Sequence, residues 1–206
     1  MDIKRNNGFG LAKQALWIWI AATLLASLVL WGWLFSSIAV SVDAWQLWAR
    51  YTARLSFFLF LASYIAAPLY ELTKHGLIAS LRRNRRNAGI SFAIAHIIHL
   101  YALIAYLYIS GEPTDMVTII VGGGAYVVMF AMLASSNDAA IRRLGAVNWR
   151  RLHKFGAHYL AFVFVFMYTS GYLAGYGKPL ILILLGWVAI LLRIFVMIKT
   201  RGGTEK

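Results

Sequence analysis

Four of the five histidines in this chain fall in two apolar stretches. His96 and His99 lie in Gly89-Ile-Ser-Phe-Ala-Ile-Ala-His-Ile-Ile-His-Leu-Tyr101, and His153 and His158 lie in Trp149-Arg-Arg-Leu-His-Lys-Phe-Gly-Ala-His-Tyr-Leu160. An imidazole in hydrocarbon must find a partner, and two helices that each offer one can hold a metal between them, which is how a helical bundle carries haem. A lone histidine in a membrane helix is more often a hydrogen-bonded structural or proton-handling residue. Four of five on two helices shift the balance toward metal ligation, with His96, His99, His153 and His158 as the candidate ligands. His75, in a polar loop beside Lys74, belongs to the structural class.

The elements that must position these side chains follow from composition. The 206 residues are 61% hydrophobic and 13% charged, with a mean hydropathy of +0.70. A soluble domain of this size needs far more polar surface, so the chain reads as an all-α integral membrane protein. Cysteine is absent, which excludes disulfides, thiol redox chemistry and cysteine-ligated metal sites. Any redox role therefore needs a bound cofactor. The net charge of +13 would suggest nucleic acid in a soluble protein, but here the basic residues cluster at the ends of apolar runs and face lipid headgroups. No nucleic-acid partner is expected.

Apolar runs long enough to cross a bilayer, roughly 20 residues each, number six: about 14–40, 54–73, 88–110, 116–135, 152–174 and 179–198. The first is too long for a cleavable signal and is read as retained. Ser41 to Arg54, with Trp45, Trp48 and Tyr51, reads as an interfacial helix on the outer face. No linker, repeat or low-complexity tract interrupts the chain, so residues 1–206 form a single predicted transmembrane domain with no room for its own nucleotide or flavin module.

Placing both termini in the cytoplasm puts sixteen of the 20 lysines and arginines on that side. They are Lys4, Arg5, Lys13, Lys74, Arg82, Arg83, Arg85, Arg86, Arg142, Arg143, Arg150, Arg151, Lys154, Lys199, Arg201 and Lys206. Arg50, Arg54 and Lys178 remain outside, and Arg193 is expected to snorkel from the last run. This orientation, multi-pass in a bacterial cytoplasmic membrane, sends the third and fifth runs in the same direction. His96 then lies ten residues past Arg86 and His99 thirteen, whereas His158 lies seven past Arg151 and His153 two. At 1.5 Å rise per residue the depth mismatch is about 4.5 Å for His96 with His158, about 9 Å for His99 with His158 and about 12 Å for His96 with His153. Residues three apart sit about 60° apart on a helix and residues five apart about 140°. His96 and His99 therefore share a face, and His153 and His158 do not. The expectation is one haem held by His158 and by His96 or His99, with His153 left for a second haem, a propionate or the membrane edge.

The arginine clusters admit two readings. Arg83, Arg86, Arg150 and Arg151 suit haem propionates or an anionic partner, while topology alone already requires most of them. Gly122, Gly123 and Gly124 lie inside an apolar run, where small residues serve close helix approach rather than phosphate binding. Phe155, Phe162, Phe164, Phe166 and Tyr168 read as lipid-facing and core packing.

The Arg85-Arg86-Asn87 to Tyr101 stretch, then Ser135-Ser136-Asn137 through Arg142-Arg143-Leu144-Gly145 into Asn148-Trp149-Arg150-Arg151-Leu152-His153-Lys154, resembles the ferric reductase-like transmembrane family. Within that family the pattern is most similar to the haem-binding membrane subunits that serve a periplasmic methionine sulfoxide reductase. The resemblance covers about residues 50 to 200. It implies a six-helix bundle, b-type haem between the third and fifth helices, and electron flow across the membrane. By motif position His99 matches the family's third-helix ligand, and His153 its cytoplasmic-side histidine on the fifth. The family's further histidine, thirteen residues on, would fall at Phe166. That departure leaves His158 as the replacement on this helix, and makes one haem b the expected count, with two still open.

The function expected is electron transfer from a cytoplasmic flavin/nicotinamide reductase or from quinol to an outer-side acceptor. Flavin would then enter only through a partner. Two other classes compete: a histidine-based proton-coupled transporter, which calls for acidic partners inside the helices and finds only Glu71 near one end, and a cofactor-free assembly subunit, which has no need of the histidines.

Overall fold

The computed structural model describes the backbone of residues 3–38, 40–175 and 179–202, and the side chains of 14–38, 40–175 and 179–200. Lys178 and Lys206, used above to orient the chain, lie outside the described residues, as do the side chains of Lys4, Arg5, Lys13 and Arg201. Among the described residues the protein is all-helical: α1 (Ile3–Ser37), α2 (Val42–Thr73), α3 (Gly76–Arg83), α4 (Arg85–Ser110), a π-helical turn (Thr118–Gly122), α5 (Gly123–Ala134), α6 (Asp138–Leu144), α7 (Ala146–Leu173) and α8 (Leu180–Gly202).

Four helices are long and apolar enough to cross a membrane: the described part of α1, α2, α4 and α8. A fifth emerges if Thr118–Ala134 and α6, bent by 102° at Ser135–Asn137, count as one broken span. The fifth apolar run of the sequence is present as α7, but Arg150, Arg151 and Lys154 in its first turns and His158, Tyr159, Tyr168, Thr169 and Ser170 farther on dilute its apolar character. The separate interfacial helix expected at Ser41 to Arg54 is not formed. α2 runs unbroken from Val42, because no glycine or proline interrupts it before Pro68, and the Ser41 hydroxyl accepts from the Ala44 amide at its start (3.3 Å).

Contacts divide the chain into two compact units, the first formed by residues up to Ser63 with Arg83–Pro113, the second by Tyr64–Arg82 with the chain from Thr114 onward. In the first unit α1, α2 and α4 pack around Leu34, Trp48, Ala49 and Ala102, with Phe35, Trp45 and Tyr51 against them. Phe35, Trp45, Trp48 and Tyr101 meet edge to face at 5.1–6.2 Å between centroids, the favourable arrangement for ring quadrupoles. Gly111 ends α4 with φ 67°, a left-handed conformation that costs glycine little, and donates its N–H to the Leu107 carbonyl (3.1 Å).

In the second unit α5 and α7 approach through glycine. A Cβ on Gly124 would lie 2.7 Å from the Tyr159 hydroxyl, and one on Gly156 would clash with Met132 and sit 3.0 Å from Val128. The close approach expected of the Gly122–Gly124 run is thus present at Gly124 and, less tightly, at Gly122, where a Cβ would lie 3.3 Å from Met167. At the corner after α5, Asn137 caps α6 by accepting from the Ala140 amide (2.8 Å). The Trp149 indole donates to the Ser135 carbonyl (2.9 Å), tying the first turn of α7 back to that corner.

Candidate functional site

The two histidine pairs belong to different units, and each is organised within its own. In the first unit, His96 and His99 stand on one face of α4 with ring centroids 5.2 Å apart, the arrangement their spacing predicts. Both turn toward α2. His96 is buried and its Nδ1 pairs with the Ser56 hydroxyl at 2.9 Å; His99 Nδ1 lies 2.9 Å from the Ala49 carbonyl oxygen. Ala49 and Ser56 are seven residues apart, two turns of one helix, so a single face of α2 holds both rings.

The two contacts differ in what they fix. A carbonyl oxygen only accepts, so His99 Nδ1 carries a proton, and whenever the ring is neutral its lone pair is on Nε2. A serine hydroxyl can donate or accept, so the His96 contact leaves the tautomer open. A backbone carbonyl on one ring nitrogen fixes the tautomer of structural histidines and of metal-binding ones alike.

In the second unit the histidines of α7 point to different neighbours, as their separation predicts. His153 Nε2 pairs with the Ser135 hydroxyl at 3.0 Å, and its ring stacks on Trp149 at 4.3 Å, so it is built into the corner between α5 and α6. His158 Nδ1 instead faces the Tyr64 hydroxyl at 3.1 Å, with the two rings perpendicular. His158 and Tyr64 close one side of a cleft of about 370 Å³, lined also by Phe162, Val165, Phe166, Thr169, Trp187 and Ile190. Phe166, where the family pattern would place a histidine, lines the same cleft as His158.

Arg83, Arg86, Arg150 and Arg151 are exposed near the starts of α4 and α7, Arg83 and Arg86 in the first unit and Arg150 and Arg151 in the second. His75 is exposed and accepts from the Leu77 amide (3.3 Å) at the start of α3, the structural role expected of it. Glu71 is bound by Lys74 (2.5 Å) and Arg82 (3.5 Å) at the exposed end of α2. Among the described residues no three His, Cys, Asp or Glu side chains converge in a group able to hold a bare metal ion. A porphyrin supplies four nitrogens of its own and asks the protein for only one or two.

The partners Ser56, Ala49 and Tyr64 escape sequence reasoning because each is joined to its histidine across helices, 40, 50 and 94 residues away. Arg193 escapes it too. Instead of snorkelling, its guanidinium donates to the Tyr64 backbone carbonyl (2.9 Å) and lies 4.5 Å from the Tyr64 ring centroid. No protein-family model, curated protein or solved structure matches the chain.

Proposed function

We propose that this chain is a haem-carrying membrane subunit that passes electrons between a cytoplasmic donor and an acceptor on the outer side. The observation that carries the reading is the His99 contact: a carbonyl on Nδ1 sets the lone pair on Nε2, the atom that binds haem iron. His158, in an apolar cleft and oriented through Nδ1 by Tyr64, fits as the ligand on α7 when the ring donates to the phenol oxygen. It stands in for the histidine absent at Phe166. His96 remains the alternative on α4. His153 fits poorly, because Ser135 takes its Nε2, and this supports one b-type haem over two.

When bound, the haem would supply a reversible one-electron couple. The protein's part would be to hold the imidazoles correctly rotated, with Phe162, Phe166 and Trp187 packed around His158. Six spans with both termini cytoplasmic, in a bacterial inner membrane, complete the proposal. Arg83, Arg86, Arg150 and Arg151 would then meet propionates or an acidic flavin reductase, and quinol from the bilayer is the other donor. The ferric reductase-like motifs support the same reading. The proton-transporter reading is weaker, because Glu71, the acid it would use, is taken up by Lys74 and Arg82 at an exposed helix end.

A reduced-minus-oxidised absorption spectrum of the purified chain tests the proposal. A b-type signal that is lost in His99→Ala supports it. A colourless protein after expression with ample haem supply sinks it.

A further inference from the structure

A charged side chain inside a membrane span needs a reason, and Pro68 supplies one for Arg193. In α2 the carbonyl of Tyr64 would accept a hydrogen bond from the amide of residue 68, but that residue is proline and has no N–H to give. The Arg193 guanidinium takes that place, donating to the Tyr64 carbonyl at 2.9 Å while its cationic plane lies 4.5 Å from the centroid of the Tyr64 ring. Two attachments to one residue hold both partners. The cation over the phenol face is attracted by the ring quadrupole, and the bond to the carbonyl adds a charge-assisted contact.

The Tyr64 hydroxyl, at the far end of the clamped ring, is the group that touches His158 Nδ1 at 3.1 Å. We propose that Arg193 is a positioning residue for the His158 cleft: seated by the missing amide of Pro68, it fixes Tyr64, and Tyr64 fixes the rotation of the His158 imidazole. Sequence places these residues far apart, at 64, 68, 158 and 193, yet all lie in the second unit. Neither Pro68 nor Arg193 lines the cleft, so neither is a catalytic residue. The importance of the positioning rests on the haem reading above; the contact chain itself does not.

The test uses the full chain labelled with 15N-histidine in detergent micelles and reduced, so that any low-spin haem is diamagnetic. His158 ring-nitrogen signals are assigned by their loss in His158→Asn. In the wild type they should form one sharp set, and Tyr64→Phe should shift or broaden them. Arg193→Gln should do the same, and Arg193→Lys, which keeps a cation at the position on a shorter stem, should restore the sharp set at least in part. Pro68→Ala is the decisive variant: it changes no charge and favours a helix, yet by giving the Tyr64 carbonyl its in-helix donor it should reproduce the Arg193→Gln pattern. Combining the two should add nothing further.

Unchanged His158 signals in Arg193→Gln overturn the proposal, and so does a Pro68→Ala protein with the wild-type pattern. If Pro68→Ala fails to fold, the contrast between Arg193→Gln and Arg193→Lys decides. Haem content of the same samples separates this claim from the functional one: colourless protein with a moving His158 pattern sinks the haem reading alone, and haem-loaded protein with a fixed pattern sinks the positioning alone.

Discussion

At the scale of residues, the four membrane histidines are not equivalent, and the difference lies in what touches the first ring nitrogen. His99 has a carbonyl, His96 and His158 have hydroxyls, and His153 spends its Nε2 on Ser135. On the proposed haem reading, bound haem should fall at least about tenfold in His99→Ala and His158→Ala and persist in His153→Ala, as measured by extracted haem per chain; removing only the orienting hydroxyl in Tyr64→Phe should weaken haem retention by about ten- to a hundredfold. Equal retention in His99→Ala and His153→Ala would contradict this ranking. The residues themselves were legible in the sequence, as were the shared face of His96 and His99 and the divergence of His153 from His158. Their partners were not, because a serine, an alanine carbonyl or a tyrosine on another helix carries no local mark of its use.

At the scale of elements, glycine decides how near α5 and α7 come. Gly156 faces Met132 and Val128 with no room for a side chain, so Gly156→Leu should destabilise the protein by about 1–3 kcal/mol, the usual range for overpacking. A lowered midpoint in thermal unfolding of the detergent-solubilised chain would register it, and an unchanged midpoint would mean the helices can part freely. A second element-scale prediction concerns the loop before the π-helical turn. The Asp115 carboxylate accepts from the Thr118 hydroxyl (2.6 Å) and amide (2.9 Å), and these bonds hold its pKa below the ordinary carboxylate value. A depressed carboxylate contributes above its unfolded pKa of about 4 and loses that contribution as pH falls through the folded value. Protection of the Thr118 amide from hydrogen exchange, corrected for the intrinsic rate, should fall in that acid range, and Asp115→Ala should remove the pH dependence. The sequence foretold the long helices but missed one join and the short α3 and α6. The aromatic Ser41 to Arg54 segment looked interfacial because its tryptophans suit headgroups, whereas here they pack on α1 and α4 as the first turns of α2. The fourth apolar run ends in the sequence at about 135, where α5 does end; the short α6 beyond the 102° bend, capped by Asn137, is too polar to stand out from a loop.

At the scale of the whole molecule, the uneven distribution of lysine and arginine predicts both termini in the cytoplasm; reporter fusions after Lys199 should be active only in a cytoplasmic format, and activity on the outer side would reverse the proposed direction of electron flow. The molecule also has a consequence for its own biogenesis. α7 is the least apolar of the long helices, and a translocon handling it alone would have to release His153, Lys154 and His158 into lipid. Yet α7 meets α5 at Gly124 and Gly156, and only the short α6 corner separates them in the chain. Inserted together as a hairpin, the two would bring the Gly156 face of α7, and His153 bonded to Ser135, already against α5. In a glycosylation-mapping assay, α7 by itself should insert poorly and the segment from Thr118 to Leu173 should insert well, whereas Gly156→Leu, which makes α7 alone more apolar, should narrow the advantage of the pair.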